Sequence, residues 1–415
     1  MIEWVVRAST RHPRVILVAT LLFALCGGYA ATRLRFDALP DVTGQQVLVL
    51  TRSPGLSSES VELLVTRPLE MTLGGLPSTT GQRSISRAGI SAITVLFDDD
   101  VELLRARQLV QERLTNAKES LPPGVGAPEL GPLSGGLGEV FQFTLSSHQR
   151  TTTDISELVK YRVAPLLRSV PGVVEANTWG GQERTIDVVA DARGLAQRGV
   201  TLSELGEAVR KSTGQAPGAV LEWGTSGLPL SGISWPQSPE EVAAAVVRPA
   251  PSGASIRVGD VAQVREGTRP RLGAATLDGR GETVFVMVQM MVGDNALEVL
   301  ERIHARLGDV RQVLPDDVQI DVVYDRSELV GATLRTVFKN LAEGGFLVVA
   351  VLFLLLGSLR AGVLVALVIP LSLLGATICM VAFDIPGNLM SLGALDFGLL
   401  VDGGVVMVEA LFFAL

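Results

Sequence analysis

The chain has 415 residues, 35 basic and 43 acidic side chains, and a net charge of −8. An acidic balance with no basic stripe argues against a nucleic-acid partner. A mean hydropathy of +0.38 with 47% hydrophobic residues sets it apart from ordinary soluble chains. Most charge lies between Arg33 and Lys339, so we read a membrane protein with one large aqueous insert.

Met1 to Arg14 mixes apolar residues with Arg7, Arg11 and Arg14 and reads as an interfacial helix, residues 1–14, on the cytoplasmic side. The uncharged run to Thr32, closed by Arg33, predicts a first transmembrane helix over 15–33, its arginines inside. Cys26 and Cys379 both fall in apolar runs, so the insert holds no disulfide and no cysteine-based zinc site. His12, His148 and His304 show no ligand spacing, and no resident metal or cofactor is expected.

The insert, residues 34–339, reads as mixed α and β. Strands are predicted at Gln46–Arg52, Gln82–Ala88 and Ser91–Phe97, the last two paired around Gly89. A helix over Ser57–Leu73 stops at Gly74-Gly75, with Pro68 kinking or splitting it. Asp98, Asp99 and Asp100 read as a turn whose acids open a helix over Val101–Ser120. Further strands are expected at Val140–Ser146, Val173–Trp179, Arg184–Ala190 and Gln319–Tyr324, and helices at Ile155–Ser169, Thr201–Lys211 and Ala296–Val313. The breaks Leu121-Pro122-Pro123-Gly124-Val125 and Leu314-Pro315-Asp316-Asp317-Val318 repeat one grammar, which suggests internal duplication of small α+β sandwiches. The Gly-, Pro- and Ser-rich stretch Gln215–Arg271 reads as a hairpin-rich lobe. Gly135, Gly136 and Gly138 read as a flexible turn between subdomains. In a strand Met287 and Met291 would share one face with Met290 opposite, so core packing is preferred to soft-metal ligation.

Three more spans are predicted: 341–358, 361–383 with a kink at Pro370, and 389–413, with Arg360 marking a cytoplasmic turn. Residues 340–415 thus complete a four-helix membrane bundle with both termini inside. The last span carries Asp396, Asp402 and Glu409. An acid at mid-membrane costs roughly 2.5–3.5 kcal/mol on insertion scales, so three of them must face protein or water. Asp402 and Glu409, seven residues apart, share a helix face; Asp396 stands about 120° round. Rises of roughly 9 and 10 Å separate the three. Such an acidic ladder suits proton or cation transfer, while no nucleophile–base pair or cofactor loop suggests an enzyme.

The stretch Asn388–Ala410 closely resembles the fourth transmembrane helix of resistance–nodulation–division efflux pumps, in their heavy-metal, cobalt–zinc–cadmium branch. Phe36–Val42, Gly131–Glu139 and Val322–Ser327 are also similar to segments of that family, and the resemblance spans the whole chain. It implies a proton-driven antiporter of the bacterial inner membrane, a homotrimer exporting heavy-metal cations through a periplasmic adaptor and an outer-membrane channel. It makes Asp396, Asp402 and Glu409 the proton-relay acids, with no metal ligand carried over. It makes 34–339 a periplasmic insert of ferredoxin-like βαβ porter subdomains, with a docking lobe at about 182–271. Ala410 stands where the family has Asn, and a second, repeating half is missing from this sequence, so the chain is expected to be an N-terminal half that is inactive alone. A drug or organic-solute pump of the same superfamily and a truncated, non-transporting subunit are the alternatives.

Overall fold

The computed structural model describes residues 11–36, 43–223, 226–249, 253–271, 273–356, 359–383, 385–388 and 406. The interfacial segment 1–10 and the last predicted span, apart from Val406, lie outside these.

The first unit is built from β1 (Gln46–Arg52), β2 (Thr79–Arg87), β3 (Ile90–Phe97) and the short β4 (Glu129–Leu130), an antiparallel sheet in the order β2-β3-β1-β4. Strand alternation sends Val47, Val49, Ile93, Val95 and Phe97 to one face, where two helices cover them. One helix runs from Ser58, capped by Ser57, to Leu73. The other is Leu103–Ala117. The three aspartates do not open it: its N-cap is Glu102 and its first turn holds no acid. They stay in the preceding turn, where the Asp98 backbone N–H bonds Ser78.

The second unit repeats this plan with β5 (Glu139–Ser146), β6 (Val173–Trp179), β14 (Glu282–Met290) and β15 (Gln319–Asp325), in the order β6-β14-β5-β15, with β13 (Ala275–Thr276) extending the β14 edge. Both sheets have the strand–helix–strand, strand–helix–strand connectivity of a ferredoxin-like unit. The helices are Thr152–Arg168, opened by a Thr151–Asp154 capping box, and Ala296–Val313.

The repeat reaches into helix geometry. Val61, Val65, Leu69 and Leu73 are buried in the first unit, and Ile155, Val159, Val163 and Leu167 in the second. An ideal α-helix turns about 100° per residue, so a strict spacing of four would drift some 120° off the core over three steps. Both helices correct this with a π turn, at Glu62–Thr66 and Val159–Val163. In each, a proline follows directly in the next turn, Pro68 and Pro165. Helical structure runs on through Pro68 without splitting there, and the π turn lies directly before it.

Where the first unit joins β2 to β3 by a tight turn at Gly89, the second inserts a lobe between β6 and β14. The lobe pairs β7 (Arg184–Ala190) with β12 (Ala262–Thr268) and β10 (Val246–Arg248) with β11 (Ile256–Arg257). Its long hairpin is β8 (Gly214–Trp223) with β9 (Ser226–Ser234). The lobe's own core gathers Leu195, Val200, Leu205, Val258 and Val261.

Pro13–Arg33 is, among the described residues, the one helix long and apolar enough to cross a membrane. It packs closely on the helix Leu359–Ala382: a Cβ at Gly27 would stand 2.6 Å from the Leu374 Cβ, so only glycine fits. Arg326–Leu356 is one unbroken helix that begins on the residue after β15, well before the span read from the sequence.

Candidate functional site

One face of each sheet carries the helices; the other is open. On the open face of the second sheet the register sets Asn177, Met287, Gln142 and Tyr324 in one row. The next row is Glu175, Gln289 and Glu139. Two bulges make this face. Val140 is an extra residue opposite the Val288–Gln289 step, and Val174 is extra opposite Gln289–Met290. The first bulge brings Glu139 to the same side as Gln142, and Gln142 Nε2 donates to Glu139 Oε2 at 3.0 Å. Asn177 Nδ2 donates to Glu175 Oε2 at 2.8 Å. Ser134 Oγ donates to Gln289 Oε1 at 3.3 Å, which turns the Gln289 amide NH2 away from Ser134. The two carboxylates flank Gln289 at two strand spacings, roughly 10 Å across the sheet.

Met287 is buried at the centre of its row, and Met290 belongs to the helix-side core. Met291 lies just past the end of β14 and is exposed. Carboxylate and amide oxygens line this end of the face around buried Met287, and Tyr324, Phe285 and Trp179 fill the rest of it. Among the described residues no three His, Cys, Asp or Glu side chains converge to hold a metal ion.

The loop Gly135–Gly138 ties this face to the helix Arg326–Leu356. It is a hydrogen-bonded turn: Gly138 N–H donates to Gly135 O at 3.0 Å and Met290 N–H to Gly138 O at 2.8 Å. Arg326, buried at the start of its helix, donates to Leu137 O. Arg35, just beyond the first apolar helix, donates to Gly293 O at 2.9 Å. Together with Met290, Asp294 and Pro386 these line a cleft of about 150 Å³. Beside it, Asp325 caps the helix through Ser327 N–H at 2.8 Å and pairs with His304 Nε2 at 2.6 Å.

Asp396, Asp402 and Glu409, the acids the sequence singled out, lie outside the described residues. Glu139 and Glu175 escaped the sequence reading because the bulges that align them break the alternation by which strand faces are read.

A model of the AcrB/AcrD/AcrF family matches residues 5–414, and the chain belongs to that family. The resistance–nodulation–division resemblance read from the sequence therefore stands. Among its relatives, protein HelA of Legionella pneumophila is 40% identical over 99% of this chain and 39% of its own length. The cobalt-zinc-cadmium resistance protein CzcA of Cupriavidus metallidurans is 37% identical over the same shares. A crystal structure of a heavy metal efflux pump, crystal form II, superposes with a TM-score of 0.88 at 37% identity, over 98% of this chain and 40% of that one. The chain spans about two-fifths of the length of the relatives it matches.

Proposed function

We propose that this chain is the N-terminal part of a proton-driven antiporter that exports heavy-metal cations across the bacterial inner membrane. The observation that carries the reading is an apolar segment with Asp396, Asp402 and Glu409 in a chain 37% identical to a cobalt-zinc-cadmium resistance protein. In this reading spans at 15–33, 341–358, 361–383 and 389–413 form the membrane bundle. Residues 34–339 stand in the periplasm as porter subdomains, with the lobe at about 182–271 docking neighbouring protomers of a trimer. A periplasmic adaptor and an outer-membrane channel complete the export path. The three acids take up protons outside and release them inside. The Glu139–Gln289–Glu175 face is the part of the porter on which a divalent cation travels, its remaining donors coming from chain beyond this segment.

The test uses the complete pump. Asp402→Asn abolishes metal resistance and metal-dependent proton flux in vesicles while the protein stays folded in the membrane; export that persists sinks the relay. Glu139→Gln with Glu175→Gln leaves expression intact and raises the metal concentration for half-maximal export about tenfold, a loss of about 1.4 kcal/mol in binding. A panel of divalent metals against organic drugs separates this reading from a drug pump.

A further inference from the structure

The lobe meets the second unit through charge rather than apolar burial. The two hydrophobic cores are separate, with no residue in common. Chain leaves β6 through Gly180 and Gly181, both left-handed at φ 74° and 72°, a pair of conformations that residues with a Cβ rarely adopt. Across this junction Arg184 of β7 reaches back to the helix Thr152–Arg168. Its Nη2 stands 2.6 Å from Asp154 Oδ1 and its Nε 3.0 Å from Glu157 Oε1. The third nitrogen, Nη1, holds Glu266 of β12 at 3.1 Å, so one guanidinium ties both lobe strands to that helix. Beside it Glu183 binds Lys160, in the π turn of the same helix, and Arg269, at the far end of β12, at 2.9 Å.

We propose that the lobe root is an ionic latch over a two-glycine hinge, in which Arg184 and Lys160 fix the angle of the lobe and its β8–β9 hairpin, and release of those contacts lets the lobe swing. The hydrogen bond that Lys160 donates to Glu183 holds Glu183 below the usual carboxylate range and Lys160 above the usual ammonium range. Arg184 is raised chiefly by Glu157, and Asp154 is lowered first by the Thr151 hydroxyl, with Arg184 adding to it. All the partners are partly exposed, so salt screens them, and several charges at one junction act as a network where an isolated surface pair would contribute little. On the chain that returns from the lobe, Arg271 holds Glu282 of β14 at 2.7 Å and adds to the same network, while Arg248 holds Glu204 at 2.7 Å inside the lobe.

The test measures distance in the full chain in lipid nanodiscs, with Cys26→Ala and Cys379→Ala and spin labels at Gln197→Cys in the lobe and Gln312→Cys in the second unit. A second pair, Thr178→Cys with Gln312→Cys, monitors the second unit alone. At low salt the lobe pair gives one narrow distance. Adding Arg184→Gln with Lys160→Gln, or raising salt from about 0.05 to about 1 M, where the screening length falls to about 3 Å, shifts and broadens the lobe pair and leaves the internal pair unchanged. A lobe distance that is the same in the double variant and at high salt overturns the latch. Should the double variant disturb the internal pair as well, the salt series on the unsubstituted latch decides: a shift supports it and a flat series overturns it.

Discussion

The two ferredoxin-like units share strand order, helix placement and a π turn followed by proline, yet one end of their open faces differs in chemistry. In the first, the rows Leu48–Thr94–Arg83 and Leu50–Ala92–Ile85 present aliphatic carbon, half-buried but for Arg83 and Ile85. In the second, one row is Trp179–Phe285–Thr144, the next Asn177–Met287–Gln142–Tyr324 and the last Glu175–Gln289–Glu139, so amides and acids occupy one end and aromatic rings the rest. The helix-facing sides are alike, Val47, Val49, Ile93 and Val95 against Phe143, Leu145, Val284 and Val286. Duplicated topology thus fixes what must be buried, and the face free of helices is where the copies diverge. An aliphatic face suits being covered by another sheet, and a face of amides and acids suits a hydrated cation. The connection between the middle strands diverges in the same way, from one turn at Gly89 to the whole lobe.

If the cores are independent, the largest effects stay within one unit. Phe143→Ala lowers the opening free energy of the second unit by about 3–5 kcal/mol and Ile93→Ala that of the first by about 2–5 kcal/mol. Hydrogen exchange resolved by segment reads both, and protection lost in both units from either change would break the comparison. In the lobe, Thr201→Ala removes a capping box in which Thr201 Oγ1 accepts from the Glu204 N–H at 3.2 Å, costing about 1 kcal/mol.

Glu204 sharpens this with pH. The Thr201 backbone N–H, then Arg248 and the Thr201 hydroxyl, lower it from 4.5 to about 2. A depressed carboxylate stabilises the fold above its unfolded value and stops doing so as pH falls through the folded one. Lobe melting followed between pH 4.5 and about 2 should therefore decline with acid, and Glu204→Gln should flatten that decline. The smallest effect is expected at the prolines. Pro68→Ala and Pro165→Ala each regain one backbone hydrogen bond, about 1 kcal/mol, and loosen the unfolded chain by about 0.4–1 kcal/mol. The changes nearly cancel, so each unit should shift by under about 1 kcal/mol and by similar amounts; unequal shifts would mean the two π turns serve different ends.

Much of this was legible. Gln46–Arg52, Val173–Trp179, Arg184–Ala190 and Ala296–Val313 were readable to the residue because apolar periodicity and turn residues agree there. The apolar spacing of four in Val61–Leu73 and Ile155–Leu167 also announced the π turns, a signal the sequence reading passed over. The β8–β9 hairpin was legible only as part of a hairpin-rich stretch, because its Gly and Pro content hides the strand bounds. The helix Ala192–Arg198 was missed because its short, charged sequence shows no apolar stripe. The start of the helix at Arg326 was hidden too, since its first turns are polar and carry no apolar run.

That start has a mechanical meaning. β15 ends at Asp325 and the 31-residue helix begins at Arg326, so sheet and helix are one continuous lever arm. At 1.5 Å per residue the arm is about 46 Å long, and a tilt of about 5° moves its far end by about 4 Å. No loop lies between to absorb that travel. It must twist the sheet's edge strand, which lies beside Gln142 through Tyr324, or pull Asp325 from Ser327 and His304. Rotation of the arm is therefore felt first at the strand bordering the acidic face.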